Sequence, residues 1–456
     1  MDLPNYFLAD LPPGTVLTPL VVTDACQALR RNRALYLADR TTPSLIRTVA
    51  GLAADWLDPN FSFRQHALNE GPRETGFSPE TLARGLDQFF GGLTSANLQA
   101  LLVQEFGHVD RLDKLSSSDP ERSHDRASIV LPPELIAHIA GGVLPNPTFL
   151  SMVLGLLLRA AQVVKCPTGA AFLPRLFAHS LHQREPKLGA CLEIAHWPGG
   201  TEPLEAALFA EASLVTATGS NETLAALRAR LPASIRFAGY GQRVSVACVT
   251  REMLSEMLAR KMVARAADDV TAWDQLGCLS PHVIYVEPGG VVSAEKFAAD
   301  LAVELASRQL TQPRGAATPA EAATISYRRS IYEVRAAASP DTLIWSSPAS
   351  TDWTVVYETE AQFQWSCGHR FVYVKLLDDV SGLRHALGAI EGKISTVGLA
   401  ATAERAEAIA LSLARAGVPR ICPLGQMQNP PPAWRHDGRP AFADWVTWAD
   451  WEMPGV

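Results

Sequence analysis

The chain has 456 residues, 47% hydrophobic and 19% charged, a balance that excludes a largely disordered or fibrous protein; at about 100 to 200 residues per domain it points to two or three domains. Its net charge is −7 and no Lys/Arg-rich run occurs, so nucleic acid is not expected as the main partner. The longest apolar run, Phe149 to Leu158, stops at Arg159, short of the roughly 20 residues a membrane span needs.

The first residues, MDLPNYFLADLPPG, lack a basic stretch followed by an apolar one and a small-residue cleavage site, so a cytoplasmic location is expected. Up to about residue 130, helical periodicity in Pro79–Leu86 and Ser95–Leu102 gives way to a polar surface loop, KLSSSDPERSHDR. An apolar turn region, IAGGVLP, precedes a long helix reaching Ala161. Strand AQVVK, a helix from Ala171 to about Gln183, and strands ACLEIAHW and SLVTAT follow. After TGSNETLAALRARL come strand VSVACV, a helical region from Glu252 to about Ala272, and strand HVIYVE. Helix SAEKFAADLAVELASRQL leads to TQPRGAATPAEAAT, read as a loop. Strands WTVVYE, RFVYVKLL, STVGLAA and RICPLG then alternate with two helices. Strands separated by helices of this length predict parallel sheets with both faces covered, an α/β fold.

Seven cysteines, at positions 26, 166, 191, 248, 278, 367 and 422, are odd in number and lack CxxC or Cys/His ligand spacing, so neither a disulfide framework nor a metal site is expected. From Asn429 onward the chain carries four of its ten tryptophans, Trp434, Trp445, Trp448 and Trp451. They either pack on the protein's own surface or a subunit interface, or line a channel for an acyl chain.

Three features can carry chemistry. Lys165, in VVKCPTG, ends a buried strand beside a proline, where open α/β sheets bind ligands; a lysine merely reaching solvent is the alternative. Thr218, Gly219 and Ser220 join a strand to a helix, offering backbone N–H groups and a positive helix terminus to an anion, although ordinary capping by Ser220 explains the residues too. Cys278, in DQLGCLSPH, occupies a turn limited by Gly277 and Pro281 at a strand entrance. It is either a packed, inert thiol or a nucleophile whose own backbone N–H stabilises the oxyanion formed on attack. His282 is a candidate base, or a strand-entry histidine bonded to backbone. Cys166, Cys248 and Cys422 read as core residues, and GxSxG, HExxH and P-loop motifs are absent from the sequence.

VVKCPTG, DQLGCLSPHVIYVE and the closing RICPLGQMQNPPPAWRHDGRPAFADWVTWADWE occur in the order found in the bacterial bioluminescence-type (LuxC-like) fatty acyl-CoA reductases, a branch of the aldehyde dehydrogenase superfamily, which this sequence resembles from about Ile136 onward. The resemblance implies an aldehyde dehydrogenase-like fold: a helical region and Rossmann-type NADPH domain over residues 1–245, a catalytic domain over 246–425, and a tail or arm over 426–456 for association into a dimer or tetramer. It implies reduction of a fatty acyl-CoA or acyl carrier protein thioester to an aldehyde, through a Cys278 acyl-enzyme. Lys165 would meet the adenosine ribose or its 2′-phosphate, with Thr168 beside it, and Thr218, Gly219 and Ser220 would lie under the pyrophosphate. Two departures matter. Phe237–Gln242, where hydrolytic relatives carry a water-activating Glu, contains no acid, which suits thioester exchange. The Asn that commonly supplies a second oxyanion donor is replaced, by spacing to Lys165, with Gly142; Asn146 four residues on, or a backbone N–H, takes the role. A cysteine acyltransferase or thioesterase without a nicotinamide, and a catalytically silent carrier-binding subunit, are the competing readings.

Overall fold

A computed structural model describes residues 3–12, 14–379, 382–390 and 392–453. The first quarter of the chain is helical: Pro19–Tyr36, Thr42–Leu57, Ser62–Thr75, Pro79–Gly92 and Ser95–Phe106. Three of these begin the same way, with the hydroxyls of Thr18, Ser78 and Thr94 accepting backbone N–H bonds from Val21, Thr81 and Asn97.

Fourteen strands follow among the described residues: β1 (Arg126–Leu131), β2 (Leu135–Ile139), β3 (Ala161–Cys166), β4 (Leu192–His196), β5 (Leu214–Thr218), β6 (Arg236–Tyr240), β7 (Val244–Val249), β8 (Pro281–Val286), β9 (Thr342–Ser346), β10 (Thr354–Glu358), β11 (Phe371–Leu376), β12 (Ile394–Ala400), β13 (Ile421–Pro423) and β14 (Thr447–Glu452). They build a five-stranded sheet ordered β4-β3-β2-β5-β6, a seven-stranded sheet ordered β13-β12-β7-β8-β11-β10-β9, and a two-stranded ribbon β1-β14. The first sheet is wholly parallel, and the second is parallel except for its edge strand β9.

Two consequences position the site. In the first sheet the chain winds outward from β2 through β3 to β4, then restarts at β5, so the strand order reverses between β2 and β5 and opens a crevice at their carboxyl ends. Only Gly141 fits the exit from β2, because a Cβ there would come within 2.0 Å of the Thr218 carbonyl oxygen at the end of β5. Second, β6 ends at Tyr240 and β7 starts at Val244, so the carboxyl edge of one sheet adjoins the amino edge of the other. Cys278 precedes β8 on that same amino edge.

Aromatic stacking ties the N-terminal helices to the first sheet. Trp56 stacks on Phe90 at 5.0 Å, and Phe149 contacts Phe89 at 5.4 Å, Phe90 at 5.7 Å and Phe177 at 5.3 Å. Phe149 lies one turn into the helix Asn146–Leu157, so this ladder fixes the start of that helix.

The structure departs from the sequence expectations in two places. IAGGVLP is not simply a turn, since its first residue completes β2, a fully buried central strand. Its His138 is satisfied by the Thr216 hydroxyl at 2.7 Å and the Gln162 carbonyl at 3.0 Å. The stretch expected as a loop after Leu310 becomes helical at Pro319 and runs to Ala338. Thr318 and Glu321 form a reciprocal cap that overrides the Ala/Pro/Thr composition.

Candidate active site

The approach to Cys278 has an unusual backbone. Trp273, Asp274 and Gln275 all have left-handed φ, at 51°, 51° and 62°. Such conformations cost of order 1–3 kcal/mol each unless the surroundings enforce them, and here they do. Arg370 donates to Asp274 from Nε at 3.0 Å and Nη2 at 2.7 Å, the Gly315 N–H donates to the same carboxylate at 3.0 Å, and Gln275 donates to the Pro281 carbonyl at 2.8 Å. The Ser245 hydroxyl then donates to the Cys278 carbonyl at 2.7 Å. Gly277 is pressed so closely that a Cβ would meet Gln428 Nε2 at 2.5 Å and Leu144 Cδ2 at 2.9 Å. The turn is thus held from both flanks, and the thiol is left accessible: of seven cysteines, Cys278 alone is exposed.

It faces a cavity of about 140 Å³ formed where the two sheets, the N-terminal helices and the tail meet. Apolar walls come from Phe89, Leu93, Leu150, Leu154, Trp434 and Trp445. Asn146 and Thr218 share the cavity with Cys278, and the Asn146 side-chain oxygen is buried without a hydrogen-bond partner. An amide left unsatisfied at a cavity wall can turn its NH2 toward an incoming oxyanion. Among the described residues no carbonyl accepts from the Cys278 backbone N–H, a second donor at the same place.

His282 is turned elsewhere. Its Nδ1 accepts from the Ser366 backbone N–H at 3.0 Å, its ring meets Phe363 and Trp365 edge-on, and it is not part of the cavity wall. Burial holds it down near 4, so it stays neutral. The tail tryptophans divide between the two sequence readings: Trp434 and Trp445 line the cavity, whereas Trp448 and Trp451 are exposed on β14.

Lys165 ends β3 almost fully buried, its ammonium in no hydrogen bond or ion pair among the described residues. Burial lowers its pKa, and the Glu205 carboxylate pulls it partly back. Thr168 lies in a neighbouring cavity with Gly142, Pro145, Pro167 and Gly169. Gly219 and Ser220 are partly committed: the Gly219 N–H donates to the Tyr240 carbonyl at 3.1 Å, and the Ser220 hydroxyl caps the helix Asn221–Arg230 by accepting from the Thr223 N–H at 3.2 Å. A buried, unpaired cation beside a parallel-sheet switch point and an open helix N-terminus fits a phosphate-bearing dinucleotide. Lys165, Thr168, Thr218 and the first turn of that helix would hold it. No group of three or more His, Cys, Asp or Glu among the described residues is arranged to hold a metal ion.

Desolvation inside the cavity pushes the Cys278 thiol up to about 11; the Asp437 carboxylate pushes in the same direction, and its own backbone N–H opposes them. A thiol held so high could act as a nucleophile near neutral pH only with a proton acceptor. Two residues that sequence reasoning passed over, His436 and Asp437, come from the tail: His436 lines the cavity, and Asp437 is felt by the thiol. The stretch WRHDG was in view, but its tryptophans drew the reading.

The family model described as Acyl-CoA reductase (LuxC) matches residues 37–448. The chain belongs to the LuxC acyl-CoA reductase family. Solved structures similar in fold to this LuxC-family chain include aldehyde dehydrogenases. A bifunctional proline utilization A protein superposes with a TM-score of 0.73 at 17% identity over 97% of this chain, which spans 45% of that protein's length. A putative aldehyde dehydrogenase from Anabaena variabilis gives 0.68 at 16% identity, covering 96% of this chain and 94% of that one. A NAD-dependent benzaldehyde dehydrogenase from Corynebacterium glutamicum gives 0.69 at 12%, covering 96% and 90%. No curated protein sequence matches this LuxC-family chain significantly. No helix among its described residues is long and apolar enough to cross a membrane.

Proposed function

We propose that this protein reduces long-chain fatty acyl thioesters to aldehydes with NADPH, through a Cys278 acyl-enzyme. The observation that carries the reading is the accessible Cys278 thiol in an apolar cavity shared with the unsatisfied Asn146 amide. Cys278 attacks the thioester carbonyl. Its backbone N–H and the Asn146 amide receive the oxyanion, a pair of donors of the kind whose individual loss costs about 10²–10³ in rate. The apolar wall takes the acyl chain, each buried methylene contributing about 0.8 kcal/mol.

NADPH supplies the hydride that reduces the acyl group. Lys165 and Thr168 would offer a cation and a hydroxyl to its adenosine ribose or 2′-phosphate, and Thr218, Gly219 and Ser220 would offer backbone N–H groups and hydroxyls to its pyrophosphate. Among the described residues no Asp or Glu is in the wall of the Cys278 cavity, Asp437 acting on the thiol without lining it, so no lining carboxylate is there to activate water against the acyl-enzyme. That favours transfer and reduction over hydrolysis.

The test is to mix the purified protein with long-chain acyl-CoA or acyl carrier protein and NADPH and to follow loss of the reduced-nicotinamide absorbance. Oxidation that Cys278→Ala abolishes is expected. Lack of oxidation with acyl chains of any length overturns the function, and full activity in Cys278→Ala overturns the mechanism.

A further inference from the structure

Two ionisable side chains of the Cys278 cavity, Tyr240 and His436, are not used in the reaction as described, and of the two only the imidazole can take a proton from a thiol near neutral pH. Among the cavity's lining residues only Tyr240, Cys278 and His436 titrate, and no Asp, Glu, Lys or Arg is present. His436 is held in place from several sides. Its ring stacks on Tyr240 at 4.5 Å and leans on Trp434 at 4.7 Å. Beside it, the Asp437 side chain is 2% exposed, with Oδ1 3.9 Å from His436 Nε2 and no hydrogen-bond partner of its own. Asp437 has a left-handed φ of 53° and is followed by Gly438 at 78°. In an extended chain neighbouring side chains diverge, whereas this tight turn keeps His436 and Asp437 together at the cavity that Cys278 lines.

We propose that His436 is the acid–base partner of Cys278, with Asp437 as its positioning residue; the proposal deepens, and rests on, the acyl-enzyme reading above. As Cys278 Sγ bonds to the thioester carbonyl carbon, the His436 imidazole takes the Sγ proton. When the tetrahedral oxyanion collapses, the bond from that carbon to the leaving sulfur breaks with its electron pair on the sulfur, and the imidazolium returns the proton to that thiolate. Acylation is proton-neutral overall, and His436 ends as it began. Asp437 stabilises the imidazolium while it exists.

The charged surroundings of His436 support its role as a neutral base. Desolvation lowers its pKa first of all, the guanidiniums of Arg439 and Arg243 lower it further, and Asp437 alone raises it. Arg243 Nε is 3.5 Å from Asp437 Oδ2, and Arg439 sits 4.6 Å over the Tyr240 ring. With the thiol raised and the imidazole lowered, the resting pair is thiol and neutral imidazole, so the proton moves during attack.

The experiment measures alkylation of Cys278 by iodoacetamide from pH 4.5 to 10, read by intact and peptide mass, in the wild-type protein and in His436→Gln, which keeps a planar polar side chain. In the wild type the rate is expected to rise through an inflection below pH 6.5, stay level through neutrality and climb again only as the thiol itself ionises. In His436→Gln that inflection is expected to vanish and the rate near pH 7 to fall at least tenfold, climbing only as the thiol itself ionises. A wild-type profile without the acid inflection overturns the proposal with no variant needed, as does superposition of the two profiles. Parallel incubation with acyl-CoA separates the two ideas: the expected alkylation profiles without an acyl adduct on Cys278 uphold the pairing and sink the substrate reading. An adduct formed equally fast in both proteins does the reverse.

Discussion

Arg370 grips one oxygen of the Asp274 carboxylate twice, from Nε at 3.0 Å and from Nη2 at 2.7 Å, four residues before the nucleophile. Both side chains are buried, at 1% and 3% exposure. Removing one member therefore strands the other's charge, at a cost of about 3–5 kcal/mol. Arg370→Met is expected to lower stability by that order in chemical denaturation and to slow Cys278 acylation in the folded protein, because the left-handed run Trp273–Gln275 loses its clamp. Unchanged stability would refute the clamp.

Asn146→Ala removes the amide while leaving Pro145 and Pro147 to start the helix and Phe149 to anchor it. The expected result is a loss of about 10²–10³ in kcat with little change in KM or melting temperature. A KM effect without a kcat effect would mean that Asn146 binds the substrate's ground state instead.

Asp269 makes a prediction about pH. Its carboxylate accepts the N–H groups of Gly425 at 2.6 Å and Met427 at 2.9 Å, which favours ionisation, yet desolvation wins and pushes it up to about 7. A folded-state value above the ordinary carboxylate range means that the native protein holds a proton the unfolded chain has lost. That contribution to stability is complete below about pH 4 and is lost as pH rises toward 7. The difference in melting temperature between wild type and Asp269→Asn should therefore move against the wild type from pH 4 to 7 and level off above it. Movement in the other direction would show the carboxylate to be ionised in the folded state.

The ribbon of β1 and β14 exposes Leu131, Trp448 and Trp451 at 44%, 43% and 48%. We expect the protein to be a dimer or tetramer that uses this ribbon, and Trp451→Ser to shift sedimentation toward monomer. A wild-type protein that sediments as a monomer at all concentrations would refute the arm.

Much of the architecture was legible because parallel α/β sheets write themselves as apolar runs of five or six residues spaced by amphipathic helices. VVKC, VSVACV and HVIYV lie in β3, β7 and β8, as their composition demands. What escaped was local chemistry overridden by context. β2 hides a histidine whose polarity is satisfied only by Thr216 and Gln162 on neighbouring strands, and the Pro319 helix depends on one capping pair. Cys278 and Asn146, both named from the sequence, line one cavity. His282 was chosen for its nearness in sequence, but strand alternation turns it toward Phe363 and Trp365. His436, 158 positions after Cys278, reaches the cavity only because the tail folds back over the junction of the sheets, a long-range fact that no local pattern encodes.

That return of the tail also sets an order in time. Gln428, Trp434, His436 and Trp445 all line the cavity, yet each is synthesised after the strands of both sheets. While the chain is being made, both sheets can be complete and Cys278 already on its turn, but the pocket has no roof and no imidazole in its wall. The cavity at Cys278 is thus closed only once residues 428–445 have been added to the chain.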